Sequence, residues 1–349
     1  MASNEVRKDY LLNRWVVIAS NRKKRPTDFV KKQETKQEGV CPLCPGNEHL
    51  TPPAVLVYRL ADGKIIKEKE HGDLRLKDWV LRVIPNIYPA FVVPKQKEEI
   101  ITKSSQLVNA VGHHEVIVES SCHDEHPSVA RISQLIHTIN AYLDRINVLS
   151  TKPYVKHIAV FKNHGANAGA SLSHTHSQLI TTPFLPTTLE EELKASKQFW
   201  NKNGKCIFCD IIKKEKSGPR FIWKNKSFVV FAPYASVNPM EFWVFPKRHQ
   251  SNMVNMSQDE VKDLAETLRV CLGTLKSLLN DPPYNFGFHT ILQEDAQDCY
   301  HWHLEVYPKV LTWAGFEKST GMYINMISPE DAAVELRVAV NAELKALQK

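Results

Sequence analysis

The chain has 349 residues, of which 43% are hydrophobic and 24% are charged, and it carries a formal net charge of +7 at pH 7. This length can form one large domain or two ordinary ones. The positive charge is spread along the chain with no dense basic stripe interleaved with aromatic residues, which suits an anionic substrate and argues against nucleic-acid binding. Residues 1–5 lack the apolar run of a signal peptide, and no stretch approaches the roughly 20 apolar residues of a membrane span. We therefore expect a cytoplasmic protein with no membrane partner.

The first half of the chain begins with a cysteine pair, Cys41-Pro42-Leu43-Cys44, and ends with the tripeptide His174-Thr175-His176. Between them the pattern predicts strands at 115–119 and 155–161. A helix is predicted over 128–148, because its apolar residues fall on one stripe.

The second half repeats this order after a linker near 183–205, where we expect a Pro-containing turn, a short helix and Gly204. It begins with Cys206-Ile207-Phe208-Cys209 and leads to His301-Trp302-His303. Strands are predicted at 228–231, 242–245 and 286–291, a helix opens with the capping box Ser257-Gln258-Asp259-Glu260, and a last helix starts at Ser328-Pro329. The sequence predicts an α+β fold of two tandem units, 1–185 and 186–349, each an antiparallel sheet with a long helix.

Each cysteine pair is followed by two histidines at matching intervals. The candidate ligands are Cys41, Cys44, His123 and His174 in the first half, and Cys206, Cys209, His249 and His301 in the second. Two thiolates with two imidazoles are a frequent tetrahedral Zn²⁺ set, and four protein ligands make a structural site with no open position. A single pair is better explained as buried cysteines with incidental histidines, but the duplicated spacing favours two zinc sites. Cys122 and Cys299 are alternative ligands.

The block from 161 to 178 combines a loop rich in small residues with His174, His176 and Gln178. Residues two apart on a strand point to the same side, so both histidines can serve one site, as a metal ligand or as a nucleophile. Small residues allow backbone amides to approach an anion closely. After His303 the second half has Leu304 and Glu305 and no glycine-rich lead-in, so we expect that half to have lost its reaction. His113 and His114 lack a partner pattern and are interpreted as structural.

These features together resemble the galactose-1-phosphate uridylyltransferase family, part of the histidine-triad superfamily. The resemblance covers nearly the whole chain, and within the family the chain is most similar to the plant-type ADP-glucose phosphorylase branch. The motifs that carry it are Arg22-Lys23-Lys24-Arg25-Pro26, the first cysteine pair, Asn86-Ile87-Tyr88-Pro89-Ala90, the block from Asn163 to Gln178, Asp281-Pro282-Pro283-Tyr284-Asn285, Gly315-Phe316-Glu317 and Gly321-Met322-Tyr323-Ile324-Asn325.

The resemblance implies that His176 attacks the α-phosphorus of a nucleoside diphosphate sugar, and that the nucleotidyl group then passes to a hexose 1-phosphate or to inorganic phosphate. It implies that His174 binds zinc, that Gln178 contacts a phosphoryl oxygen, and that the protein is a homodimer. Glutamine cannot act as a general base for water, which favours transfer over hydrolysis. The substrate-binding residues that the resemblance implies are Arg22, Arg25, Asn86, Asn163, Gly169, Ser171, Phe316 and Glu317.

Several alternatives stay open from the sequence. A uridylyltransferase that exchanges hexose 1-phosphates and a phosphorylase that uses inorganic phosphate share this mechanism. A histidine-triad nucleotide hydrolase is disfavoured by Gln178, and a zinc-ribbon binding module is disfavoured by the apolar residues within the cysteine pairs. Adenine or uracil as the base, the sugar, and zinc or iron in the second half are not determined by the sequence.

Overall fold

A single antiparallel sheet of eleven strands dominates the described part of the protein. The computed structural model describes residues 4–19, 39–96 and 108–347. Its strands are β1 (Glu5–Lys8), β2 (Trp15–Ile18), β3 (Leu56–Ala61), β4 (Lys64–Glu68), β5 (Trp79–Pro85), β6 (His114–Val118), β7 (His157–His164), β8 (His176–Thr182), β9 (Phe221–Lys224), β10 (Phe228–Phe231), β11 (Phe242–Pro246), β12 (Tyr284–His289), β13 (His303–Pro308) and β14 (Tyr323–Asn325). The helices are α1 (Ile132–Ser150), α2 (Thr187–Asn203), α3 (Ile207–Glu215), α4 (Gln258–Leu279), α5 (Gly315–Thr320) and α6 (Pro329–Leu347).

The strand order of the large sheet shows the internal repeat. It runs β4-β3-β5-β6-β8-β7 in the first half and β12-β13-β11-β10-β9 in the second. The halves meet where β7 pairs with β12, with Asn163 opposite Asn285 and Phe161 opposite Gly287. The two units that the sequence predicts are therefore joined edge to edge into one sheet.

One face of this sheet is covered by α1 and α4, which pack against each other and against the strands. Leu179 of β8, Val160 of β7 and Phe286 of β12 belong to this core, with the apolar stripes of both helices. Because strand residues alternate, the neighbouring positions His176, Gln178 and Asn163 lie on the opposite face. The candidate catalytic residues thus project away from the two long helices.

The predicted elements are present, with shifts at their ends. The first long helix begins at Ile132 instead of 128, because residues 126–130 form turn hydrogen bonds and the Glu125 carboxylate accepts the Arg131 amide. The linker helix is longer than expected, since α2 has 17 residues before Gly204 ends it in a left-handed conformation. The mixed α and β fold with a large antiparallel sheet is confirmed. No helix among the described residues is long and apolar enough to cross a membrane.

The N-terminal strands pack against the second half of the chain. β2 pairs in parallel with β14 in a three-stranded sheet that also contains β1. Arg7 forms an ion pair with Glu330 of α6 at 2.9 Å and lies over the ring of Tyr234. The division of the chain near residue 185 stays a prediction. Residues 4–19 contact β14 and α6, which both lie after that division in the sequence.

We expect Ser257→Ala to lower the stability of the protein. The Ser257 hydroxyl accepts the Glu260 amide at 3.2 Å, and the Glu260 carboxylate accepts the Ser257 amide at 2.8 Å. Loss of such a cap costs about 1 kcal/mol, which should lower the midpoint of urea unfolding. Ser257→Asp keeps an acceptor and should unfold near the wild-type midpoint. An unchanged midpoint for Ser257→Ala would contradict this role of the cap.

Candidate active site

The first set of predicted metal ligands is brought together in the folded chain. The ligand atoms of Cys41, Cys44, His123 and His174 all lie within 4.8 Å of one another. Cys44 Sγ is 3.2 Å from His123 Nδ1 and 3.4 Å from His174 Nδ1, and Cys41 Sγ is 3.8 Å from His174 Nδ1. Zinc bonds of about 2.3 Å to sulfur and 2.0 Å to nitrogen place tetrahedral S and N ligands about 3.5 Å apart. The four residues therefore fit a tetrahedral Zn²⁺ ion.

The Nε2 atoms of both histidines, which point away from the cysteines, also have hydrogen-bond partners. His174 Nε2–H donates to the Ser120 carbonyl at 2.8 Å, which leaves Nδ1 unprotonated toward the sulfurs. His123 Nε2 lies 2.9 Å from the Ser173 hydroxyl. Burial lowers the pKa of His174 to about 4 and raises the pKa of the Cys44 thiol to about 11. The lowered pKa keeps the His174 ring neutral, as a metal ligand must be. The raised pKa of the Cys44 thiol means that a nearby cation is needed for it to ionise. Both properties match the chemistry of a metal site.

The second set repeats this arrangement with Cys206, Cys209, His249 and His301, whose ligand atoms lie within 4.8 Å of one another. Cys209 Sγ is 3.2 Å from His249 Nδ1 and 3.5 Å from His301 Nδ1. His249 Nε2–H donates to the Gln297 carbonyl at 2.7 Å, so Nδ1 again faces the sulfurs. The donor set fits Zn²⁺ as well as the first set does.

A third group of potential ligands, which the sequence did not reveal, consists of Glu192, His289, His303 and Glu305. Its members bond one another: His289 Nδ1 lies 3.0 Å from Glu192 Oε1, and His303 Nε2 lies 3.2 Å from Glu305 Oε1. Although burial lowers it, the carboxylates of Glu192 and Glu305 raise the pKa of His289 to about 9. A protonated His289 between two carboxylates favours an internal ion network over a third metal site.

His176, the candidate nucleophile, is held in one orientation at the start of β8. Its Nδ1–H donates to the carbonyl of His174 at 2.8 Å, so Nε2 carries the lone pair. The side chain is 6% exposed. Burial, followed by the charge of Lys162, lowers the pKa of His176. The His174 ring therefore faces the first set of metal ligands, and the His174 carbonyl accepts the Nδ1 proton of His176.

A buried ion pair supports the strand from behind. Lys162 Nζ donates to Glu119 Oε2 at 2.7 Å and to the backbone carbonyl of His176 at 2.8 Å. Burial opposes ionisation of Glu119, but the charge and hydrogen bond of Lys162 and the hydroxyl donors of Thr175 and Tyr142 outweigh burial and lower the Glu119 pKa. Tyr142 of α1 donates to Glu119 Oε1 at 3.0 Å, and its oxygen lies 2.8 Å from the hydroxyl of Ser177. The helix face of the sheet thus fixes the residues on both sides of His176.

Gln178 lies on the same face of β8 as His176, and its amide is oriented by a histidine. Gln178 Oε1 is 2.7 Å from Nε2 of His114 on the neighbouring strand β6. His114 Nδ1 accepts the amide of Ala90 at 3.1 Å, and Asn86 Nδ2 lies 3.2 Å from His114 Nε2. Gln178 and Asn86, predicted from separate motifs, are therefore neighbours.

The glycine-containing loop of residues 165–170, which follows β7, is fixed by hydrogen bonds within its own turns and by contacts with Pro283 and Asn285 of the second half. The amides of Ala168, Gly169 and Ala170 donate to carbonyls within the loop at 2.9–3.2 Å. These three amides therefore hold the loop and do not point outward as free donors for an anion. Gly165 has φ +81°, and an added Cβ would lie 3.1 Å from Pro283.

Asn163 is oriented from across the β7–β12 junction. Asn285 Nδ2 donates to Asn163 Oδ1 at 2.8 Å and to the Ala168 carbonyl at 2.7 Å. With its oxygen engaged, Asn163 offers its amide nitrogen, which lies 3.5 Å from the Gly169 carbonyl. The Asp281–Asn285 motif of the second half thus braces the loop that precedes His174. A cavity of about 410 Å³, lined in part by Phe161, Asn285 and Gly287, opens on the same face.

Comparison with known proteins was made for the whole chain. A family model described as a domain of unknown function, DUF4921, matches residues 97–349. An ADP-glucose phosphorylase of Arabidopsis thaliana is 35% identical over 343 residues, which cover 96% of this chain and 93% of that protein. A galactose-1-phosphate uridylyltransferase of Thermotoga maritima is 29% identical and covers 95% of this chain and 98% of its own. The chain belongs to the galactose-1-phosphate uridylyltransferase family.

Solved structures of family members agree with this assignment. The crystal structure of an ADP-glucose phosphorylase from Arabidopsis thaliana with bound ADP-glucose has a TM-score of 0.79 at 33% identity, covering 96% of this chain and 99% of that one. A uridylyltransferase structure has a TM-score of 0.73 at 25% identity, covering 97% and 99%. The resemblance and the fold class expected from the sequence are confirmed.

The second His-x-His, His301-Trp302-His303, differs from His174-Thr175-His176 in the contacts of its second histidine. His303 Nδ1 faces the His301 carbonyl at 3.2 Å, as His176 faces His174. Its Nε2, however, faces the carboxylate of Glu305, and its ring stacks on Phe245 with centroids 4.7 Å apart. Glu305 stands where the first half has Gln178, and it engages the nitrogen that a nucleophile needs.

The remaining predicted substrate residues stay predictions. Gly169 and Ser171 are exposed in the loop beside the site. Phe316 and Glu317 lie on α5, which contacts β14. Phe316 is exposed, and the Glu317 carboxylate accepts the Ala314 amide at 2.9 Å. Arg22 and Arg25 lie outside the described residues.

Sequence reasoning missed His114, Lys162 and Glu119, and it included Asn285 only as part of the Asp281–Asn285 motif. The sequence predicts a surface or structural role for His114, although this histidine directly precedes the predicted strand 115–119. Lys162 gives another signal, because a lysine inside an apolar strand needs a buried partner. Glu119 carries no such pattern, because only the fold brings it beside Lys162 and Thr175.

We expect the purified protein to hold about two zinc ions per chain, one in each closed Cys₂His₂ set. Cys41→Ser and Cys206→Ser should each lower the zinc content by about one ion, measured by elemental mass spectrometry. Cys122→Ser is the matched control, because Cys122 is exposed beside the ligand His123 and lies outside both sets. Loss of zinc in Cys122→Ser, or a third ion removed by His289→Gln, would contradict this assignment.

Proposed function

We propose that this protein is a nucleotidyltransferase of the ADP-glucose phosphorylase type, which transfers the nucleotidyl group of a nucleoside diphosphate sugar to inorganic phosphate through His176. The observation that carries the proposal is the 2.8 Å hydrogen bond from His176 Nδ1–H to the His174 carbonyl. It fixes the tautomer in which Nε2 can attack, on a strand that also bears Gln178.

In the first step, His176 Nε2 forms a bond to the α-phosphorus while the bond from that phosphorus to the bridging oxygen breaks. The bridging oxygen leaves with its electron pair as part of the sugar 1-phosphate. The nucleotidylated ring keeps its Nδ1 proton and so gains positive charge, which the His174 carbonyl stabilises. In the second step, a phosphate oxygen attacks the α-phosphorus, and Nε2 recovers its lone pair.

Side-chain amides supply donors for the negative charge that develops on the phosphoryl oxygens. Gln178 and Asn163 both have their amide oxygens engaged, by His114 and Asn285 respectively, so each offers an N–H donor. Fixed donors of this kind stabilise a transition state without reorganisation. A sugar 1-phosphate is a good leaving group, so glutamine, which cannot protonate it, is sufficient at this position.

The two metal sets would each hold Zn²⁺ as a structural ion that ties distant segments together. His174 and His123 would bind the first ion with the cysteine pair of residues 41 and 44. His174 thereby positions the carbonyl that orients His176, without a contact to substrate.

Greater similarity to the Arabidopsis ADP-glucose phosphorylase supports phosphate as acceptor over a hexose 1-phosphate. A uridylyltransferase that exchanges hexose 1-phosphates is the alternative. A hydrolase would need a general base to activate water, and Gln178 cannot act as one. We further propose a homodimer in the cytoplasm. The family habit supports the dimer, and the cysteine thiols of the metal sets suit a reducing compartment.

Incubation with ADP-glucose or UDP-glucose labelled with ³²P at the α position should leave acid-labile, alkali-stable label on the protein. His176→Asn should carry no label, because it removes the attacking nitrogen. His303→Asn should be labelled like the wild type, since Glu305 already engages that ring. Inorganic phosphate should discharge the label faster than galactose 1-phosphate.

Three outcomes would overturn parts of this function. Absence of label with both nucleotides, or label that persists in His176→Asn, would contradict the mechanism. Faster discharge by galactose 1-phosphate would identify the uridylyltransferase instead. Discharge by water at the rate seen with phosphate would identify a hydrolase.

The rate of label formation should stay constant from about pH 6.5 to pH 8, because His176 is already neutral there. Burial lowers the His176 pKa, so the reactive neutral form persists below the ordinary value and is lost only as the pH falls through the lowered one. Rapid-quench measurements of the labelled protein between pH 5 and pH 8 test this. An acid limb centred above the ordinary histidine value would contradict the assignment.

A further inference from the structure

We propose that His114 is a positioning residue that fixes the orientation of the Gln178 amide and connects it to the loop of residues 86–90. The inference rests on the proposed function, because it concerns the donor that Gln178 presents to the phosphoryl group. His114 itself acts through Gln178.

The proton on His114 can be located from its neighbours. The backbone amide of Ala90 donates to His114 Nδ1 at 3.1 Å, so Nδ1 must be an acceptor. A neutral imidazole then carries its proton on Nε2. Nε2–H donates to the amide oxygen of Gln178 at 2.7 Å. The amide group that Gln178 can offer a phosphoryl oxygen is therefore its nitrogen.

The same logic orients Asn86. The backbone amide of Tyr88 donates to Asn86 Oδ1 at 2.8 Å, which assigns Nδ2 as the nitrogen. Asn86 Nδ2 lies 3.2 Å from His114 Nε2, and two donors cannot bond each other, so the Asn86 N–H groups are not used by His114. Backbone donors of one loop thus set the direction of two side-chain amides, Asn86 directly and Gln178 through His114.

The strand geometry makes this chain of contacts rigid. His114 begins β6 and pairs with Ile180 of β8, while Val116 pairs with Gln178, so His114 and Gln178 are diagonal neighbours on one face. His113 provides a contrast: its ring stacks on Tyr154 and its Nε2 lies 3.0 Å from the Tyr154 hydroxyl. The two adjacent histidine rings therefore have separate partners: the His113 ring contacts Tyr154, and the His114 ring contacts Gln178.

Loss of the His114 donor would let the Gln178 amide rotate and present its oxygen to a phosphoryl oxygen of the substrate. These two oxygens carry like partial charges and repel each other. Removing one such transition-state donor elsewhere lowers kcat by about a hundredfold or more, so an indirect loss of orientation should cost about tenfold to a hundredfold. The effect should fall on kcat of the labelling step with little change in KM, because the lost interaction forms with the transition state.

The test uses a matched pair of variants in the full-length protein. His114→Gln keeps an N–H donor near Gln178 and should retain most of the labelling rate with ³²P-labelled ADP-glucose. His114→Glu, whose side chain has the same size as that of His114→Gln, places an acceptor there and should lower kcat at least tenfold. His114→Leu removes the group and should lower it to a similar degree. His113→Leu, with zinc content and urea midpoint measured for all variants, controls for folding.

A double-mutant cycle decides whether the effect passes through Gln178. In a Gln178→Ala background, His114→Leu should change kcat by less than about twofold if it acts only through that amide. The inference is overturned if His114→Leu matches the wild type, if His114→Gln loses as much as His114→Glu, or if the losses of His114→Leu and Gln178→Ala multiply. Absence of label in the wild type would instead overturn the proposed function on which the inference depends.

Discussion

Strands β7 and β12 pair antiparallel at the centre of the sheet, and this junction places residues of both halves around one site. Asn285 of the second half orients Asn163 of the first, and Pro283 packs against Gly165, so the loop before His174 is shaped by a segment more than a hundred residues away. The interaction is set by strand register: a shift of one residue would turn Asn163 and Asn285 to the helix-covered face.

His174 divides its functions between ring and backbone. The ring completes the first metal set, and the carbonyl accepts the Nδ1 proton of His176. Folding of residues 41–44 and 120–123 around that set is thereby coupled to the tautomer of His176. The same backbone contact recurs at His301 and His303, yet Glu305 occupies the attacking nitrogen. At the equivalent position of the first half stands Gln178, whose amide oxygen faces His114 and leaves Nε2 of His176 without a carboxylate partner from this position.

The sequence was sufficient to predict the repeat, both Cys₂His₂ sets and the α+β class, because each depends on local spacing or periodicity. It could not show that the amides of Ala168, Gly169 and Ala170 are used within the loop, since a small-residue loop permits both arrangements. It could not assign His114 either, because the polarity of that ring depends on Ala90 and Gln178 from two other segments. Residues 4–19 pack beside β14 and α6, a contact with no sequence signal.

The shared sheet also protects two strand edges. Separating the two halves of the chain would leave β7 and β12 with unpaired backbone groups, and such exposed edges favour aggregation. Each half thus covers an edge strand that the other half would otherwise expose. The β7–β12 junction therefore guards against edge-to-edge association as well as shaping the loop before His174.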